Sequence, residues 1–137
     1  MISNYLAQAI LNATLTNTAN ITKVKGWAAL CSAFPVPETN GITEIQTPGT
    51  NGYARVDTSA LWTLTDAWAA NTSAITFPSP TGDWGTACAI AFMDASTSGN
   101  LLYAAKICSQ AINDGDPAPT FPINSVIVGL GCGPCGC

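Results

Sequence analysis

The stretch that decides the fold is Thr86–Asp94, TACAIAFMD, with the ASTSG of residues 95–99 and the NLLYAAKIC of residues 100–108 behind it. Each flank is a short, nearly unbroken apolar run, too short for a helical face and bounded by Gly, Asp and Ser. That is the signature of two strands and a turn. Pairing Asp94 with Leu102 carries Cys88 opposite Cys108, at a Cα separation of about 4.5–5.5 Å that suits a disulfide. A slip of one residue would bring Ile107 there instead, and two unoxidised, buried thiols are the alternative reading.

Outward from this hairpin the chain repeats the pattern. VKGWAALCSA (24–33) reads as an apolar strand that ends before Pro35 and Pro37. YARVDT, LWTLTDA, SAITF and NSVIVGL are further short runs, separated by turn formers such as Pro48-Gly49, Asn51-Gly52 and NDGDPAP. Only SNYLAQAILNATL at the start carries a helical period. Ser3 caps it, and Tyr5, Leu6, Ala9, Ile10 and Ala13 share one stripe. With no later helix to cross between parallel strands, the expectation is a mainly β, single antiparallel sandwich or barrel-like domain with an N-terminal α-helix. Its parts are a helix over 3–15, a β-rich body over 23–130 and a Gly/Cys tail over 131–137.

Composition narrows the function. Charged residues make up 9% of the 137 and hydrophobic ones 47%, against roughly 25% charged in ordinary soluble domains. No run approaches the roughly 20 apolar residues of a membrane helix, and no basic, apolar leader opens the chain, so neither a membrane partner nor a signal peptide is expected. A surface of Thr, Ser, Asn and Ala is cheap to desolvate, which suits a protein that works pressed against neighbours. The net charge is −4 with cations only at Lys23, Lys25, Arg55 and Lys106, too few and too scattered for a nucleic-acid footprint.

Histidine is absent, which removes the usual general base and the usual zinc ligand. Asp83, Asp94, Asp114 and Asp116 sit beside Gly, Ser or Pro and read as turn formers. The tail Cys132-Gly-Pro-Cys135 resembles a thioredoxin loop, but no chain follows Cys135 to build the helix that activates such a thiol. A zinc site would lack its second ligand pair. Cys31, Cys88, Cys108, Cys132, Cys135 and Cys137 are therefore candidate structural disulfides, with the tail tying the last strand to the body; six cysteines allow 15 connectivities. Trp27, Trp62, Trp68 and Trp84 are candidate packing or interface anchors. No catalytic, cofactor or metal residues are assigned.

One further signal lies in the order of motifs. NGYARVD (51–57), ITFPSPTGDWGTACAIAFMDASTSGNLLYAAKI (75–107) and INDGD with FPINSVIV (112–116, 121–128) resemble a family of small virion proteins from tailed bacteriophages, over roughly residues 1–130. Members carry Gly-Tyr-Ala-Arg, an apolar-Thr-Phe-Pro run, Trp-Gly-Thr, an Asp-Ala-x-x-x-Gly-Asn-Leu-Leu hairpin and a late Gly-Asp turn. Cys88, Cys108 and the Cys tail depart from that pattern. Some members look tail-fibre-like and others resemble capsid cement or decoration proteins, including those of freshwater cyanophages. The resemblance implies a non-enzymatic virion component, made in the host cytoplasm. The leading expectation is a cement protein that binds across major capsid protein subunits, self-associates on the virion and stabilises the head. A tail or tail-fibre-associated adsorption protein, partnered by tail proteins, is the alternative, and a thiol-disulfide redox protein a third reading.

Overall fold

The computed structural model describes residues 1–16, 26–36, 38, 41–66 and 68–130. Its framework is the expected hairpin. β6 (Gly85–Met93) and β7 (Leu101–Ile112) pair antiparallel, and β1 (Trp27–Cys31) pairs antiparallel with the other edge of β6. β2 (Val56–Asp57) adds beside β1, giving a four-stranded sheet in the order β2-β1-β6-β7. A three-stranded sheet, β3 (Trp62–Thr65), β4 (Trp68–Asn71) and β9 (Ile127–Gly129), and a two-stranded one, β5 (Ile75–Thr76) with β8 (Thr120–Phe121), complete the strands. The architecture is mainly β and antiparallel with one N-terminal helix. Among the described residues no sheet closes into a barrel.

WAALC and ACAIAFM lack alternation because both faces of the central sheet are covered. Ala28, Leu30, Ile90 and Phe92 face a core shared with Tyr53, Ile75, Phe77, Trp84 and Val126, while Ala29, Cys31, Ala89, Ala91 and Met93 face a second, smaller cluster. Large side chains fill the first face and mostly small ones the second. A two-sided strand loses the period of 2 that a half-exposed one shows.

The register differs from the expected one. Ala89 pairs with Lys106 and Ala87 with Gln110, so a bulge stands where Cys88 and Cys108 were expected to meet. Two faces of one strand cannot keep phase across a bulge. Ala87 joins the large core, whereas Cys88 and Ala89 both pack on the small one. Cys31, Cys88 and Cys108 are free thiols, and Cys88 faces residues 107–109 across this irregularity without a regular partner.

The helix α1 spans Asn4–Leu11 and gives way to a wider π-type turn over Asn12–Thr16. Ser3 caps it as expected, its Oγ accepting from the Leu6 amide at 3.2 Å. The α geometry stops short of residue 15 where threonines begin. The Thr14 and Thr16 hydroxyls each donate to the carbonyl four residues back, at 2.8 Å, and such back-bonds disturb the regular ladder. Leu6, Ala9, Ile10 and Ala13 of the expected stripe are half-buried and Tyr5 is exposed. Residues 1–3 extend along β7: the Met1 amine donates to the Ala104 carbonyl at 2.7 Å, and the Ser3 hydroxyl to the Leu101 carbonyl.

Candidate interaction surface

The polar residues that the sequence pattern marks converge on one internal network. Tyr53 is fully buried, stacked over Phe77 and edge-on to Trp84 with ring centroids 5.2 Å apart. Its hydroxyl donates to Glu44 Oε1 at 2.9 Å and accepts the Leu30 amide at 3.0 Å, so it stitches the 41–47 loop to β1. Arg55, 7% exposed, clamps the same carboxylate with Nε at 3.0 Å and Nη2 at 2.7 Å. Its Nη1 donates to the carbonyls of Ala95 and Ser98, at 2.8 and 2.7 Å, in the turn between β6 and β7. That turn is held by Asp94, whose carboxylate accepts the Asn100 amide and side chain, and by Gly99 at φ +80°, a conformation that suits glycine.

Burial pushes the Tyr53 phenol well above its ordinary range, and the Glu44 charge adds to the effect. Burial likewise pushes the Cys31 thiol up to about 12, with Glu44 again adding to it. Glu44 and Arg55 also line a polar cleft of about 630 Å³ with Thr43, Met93 and Ser98. Because these two charges are spent on each other and on backbone, the cleft presents a finished structural joint. Glu44 has no sequence signal; it stands in a turn-rich stretch.

Of the other expected turn formers, Asp116 closes its own turn, while Asp83 reaches across the chain to the same loop. Asp83 Oδ1 accepts the Asp114 amide at 2.9 Å and Asp116 Oδ2 the Asn113 amide at 2.7 Å. No cluster of three or more His, Cys, Asp or Glu suited to a metal occurs among the described residues, and no described helix is long and apolar enough to cross a membrane.

The apolar surface lies elsewhere, at the open seam between the four- and three-stranded sheets. A groove of about 400 Å³ is lined by Leu6, Trp62, Leu64, Trp68, Tyr103 and Leu130, among others. Trp62 packs edge-on to Phe92 at 5.3 Å and Trp68 lies over Gly129, where a Cβ would fall inside the indole. Direct pairing puts Trp62, Leu64 and Ala69 on the face that meets the core. Leu64 overhangs the sheet below, which leaves it 75% exposed; Leu130 is 60% and Ile127 56% exposed. Among the described residues no Lys or Arg lines the groove, and Asp66 is its one charged side chain.

The four tryptophans thus divide. Trp84 is a core residue that donates to the Asn51 carbonyl at 2.7 Å; Trp27 half-buries against the smaller cluster; Trp62 and Trp68 line the groove. Leu64 and Leu130 escaped the sequence reading because a single leucine in or just after a short strand carries no sign of which end of a sheet is uncovered. Cys31 is buried, Cys88 half-buried and Cys108 exposed, and the two sheets bring none of them to the groove. Cys132, Cys135 and Cys137 lie outside the described residues.

No curated protein matches the chain. The family model described as Podophage GP4 fiber I protein gp80 matches residues 1–129, and with it every element of the fold and the whole Tyr53 network. The chain belongs to that family of phage virion proteins.

Proposed function

We propose that the chain is a non-enzymatic structural subunit of the phage particle, seated in its fibre apparatus and fixed to neighbouring virion proteins through the groove bounded by Trp62, Leu64, Trp68 and Leu130. The observation that carries this reading is that apolar rim, three-quarters exposed at Leu64 and without a cation along it. Aromatic anchors ringed by exposed leucines, with Asp66 as the one charged side chain among the described lining residues, match the composition of interface cores. The family's description as a fibre protein supports a seat in the fibre apparatus.

A second reading, a cement protein spread over major capsid subunits, draws on the scarcity of charge over the whole chain. Many weak copies stabilise a shell by repetition. Cryo-electron microscopy of particles separates the two: density in the fibres supports the first and density confined to the head replaces it with the second. Leu64→Glu and Leu130→Glu alter exposed side chains and should leave folding intact while abolishing incorporation. Normal incorporation of both variants would refute the groove as the docking surface.

A further inference from the structure

We infer that Cys31 and Cys88 are a disulfide-forming pair that staples β1 to β6 when the chain meets a thiol oxidant, and that Cys108 is not the partner of Cys88. Three observations place the two sulfurs together. Cys31 pairs directly with Ala89, the neighbour of Cys88. The bulge turns Cys88 onto the same face as Ala89 and Cys31, since all three belong to the smaller cluster. The Cys88 thiol donates to the carbonyl of Ser32 at 3.1 Å, so its sulfur lies against the β1 backbone one residue from Cys31. Cys108 is exposed on β7, across the irregularity from Cys88, while the Cys88 sulfur is turned the other way, toward β1.

The chemistry needs an oxidant, here a small-molecule disulfide such as oxidised glutathione. The half-exposed Cys88 thiolate attacks one sulfur of the oxidant and expels a small thiolate, leaving a mixed disulfide on Cys88. Cys31 then gives up its proton and attacks the Cys88 sulfur, forming the Cys31–Cys88 bond and expelling the second small thiolate. Two protein thiols are oxidised and one oxidant disulfide is reduced to two thiols. The second step is internal, so the complete burial of Cys31 does not prevent it; burial does keep that thiol protonated and protects it from outside reagents.

The sequence supplies a clean assay. Cleavage after Lys25, Arg55 and Lys106 puts Cys31 alone in 26–55, Cys88 alone in 56–106, and Cys108 with the tail cysteines in 107–137. The full chain is oxidised in its native state with oxidised glutathione, remaining thiols are blocked with N-ethylmaleimide, and the unreduced digest is read by mass spectrometry. The expected product is 26–55 linked to 56–106. A link from 56–106 to 107–137, or blocked Cys31 and Cys88 with no link between them, overturns the assignment. Oxidation should also raise the thermal midpoint by roughly 10 °C. Cys88→Ser should lose that gain and Cys108→Ser keep it; the reverse result refutes the pairing.

Discussion

Replacing Arg55 by Met removes the one buried cation among the described residues and tests whether the polar network holds the domain together. The guanidinium makes two bonds to Glu44 and two to the carbonyls of Ala95 and Ser98, all between 2.7 and 3.0 Å. Both charged side chains are largely removed from water, at 3% exposure for Arg55 and 14% for Glu44. Methionine fills most of the volume but strands a carboxylate and two carbonyls. Breaking one side of a buried pair costs about 3–5 kcal/mol, chiefly through the charge left behind. The partial exposure of Glu44 argues for the lower end, about 3 kcal/mol, to which the lost carbonyl bonds add about 1 kcal/mol.

A loss near 4 kcal/mol is a large part of the 5–15 kcal/mol that holds a typical domain. It should lower the thermal midpoint by roughly 12 °C at this chain length. Circular dichroism against temperature and urea, under reducing conditions, measures it. The double variant Arg55→Met/Glu44→Met removes the stranded charge and should recover at least half of the loss. A single variant within about 1 kcal/mol of the parent protein, or a double variant no better than the single, would show that the pair is not what joins the 41–47 loop, Tyr53 and the hairpin turn.

Stability should fall as pH rises above the ordinary range of a thiol. An ordinary Cys thiol titrates near 9.0, whereas Cys31 is pushed up to about 12 in the fold, so between these limits the unfolded chain releases a proton that the folded chain retains. The raised Tyr53 phenol acts in the same direction above pH 10. Urea midpoints taken from pH 8 to 12 should decline, and Cys31→Ala combined with Tyr53→Phe should flatten the decline; a flat profile in the parent protein would contradict the burial of both groups. Gly129→Ala drives a methyl group into the Trp68 ring and should tilt the indole out of the groove, at a cost of about 1–3 kcal/mol. Near-ultraviolet circular dichroism and tryptophan emission report this, and unchanged spectra would mean that Trp68 does not rest on Gly129.

The sheet framework was legible because apolar runs bounded by Gly, Asp and Ser leave little choice of element. TACAIAFMD, the turn at residues 95–99 and NLLYAAKIC form the hairpin, Ser3 caps the helix, and Asp83, Asp94 and Asp116 hold turns. Register was less legible. A strand buried on both faces has no period to fix its phase, so nothing in ACAIA announces the bulge at Cys88. The Glu44–Arg55 pair spans two turn-rich segments, and no local pattern shows that a lone Arg turns inward. The groove was hidden for another reason: exposure of Leu64 depends on where the opposing sheet stops, which is a property of the packing and not of LWTLT.

The buried network built from the Gly-Tyr-Ala-Arg, Phe-Pro and Trp-Gly-Thr motifs and the exposed rim of the groove draw on different residues. Tyr53, Arg55, Phe77 and Trp84 meet in the interior, where a single loss costs several kcal/mol and alternatives are few. Leu64 and Leu130 lie outside those motifs and largely in solvent, where substitutions usually shift stability by about 0.5 kcal/mol or less. The interior joint therefore tolerates few changes without loss of the fold, whereas side chains such as Leu64 and Leu130 can be exchanged at little cost in stability.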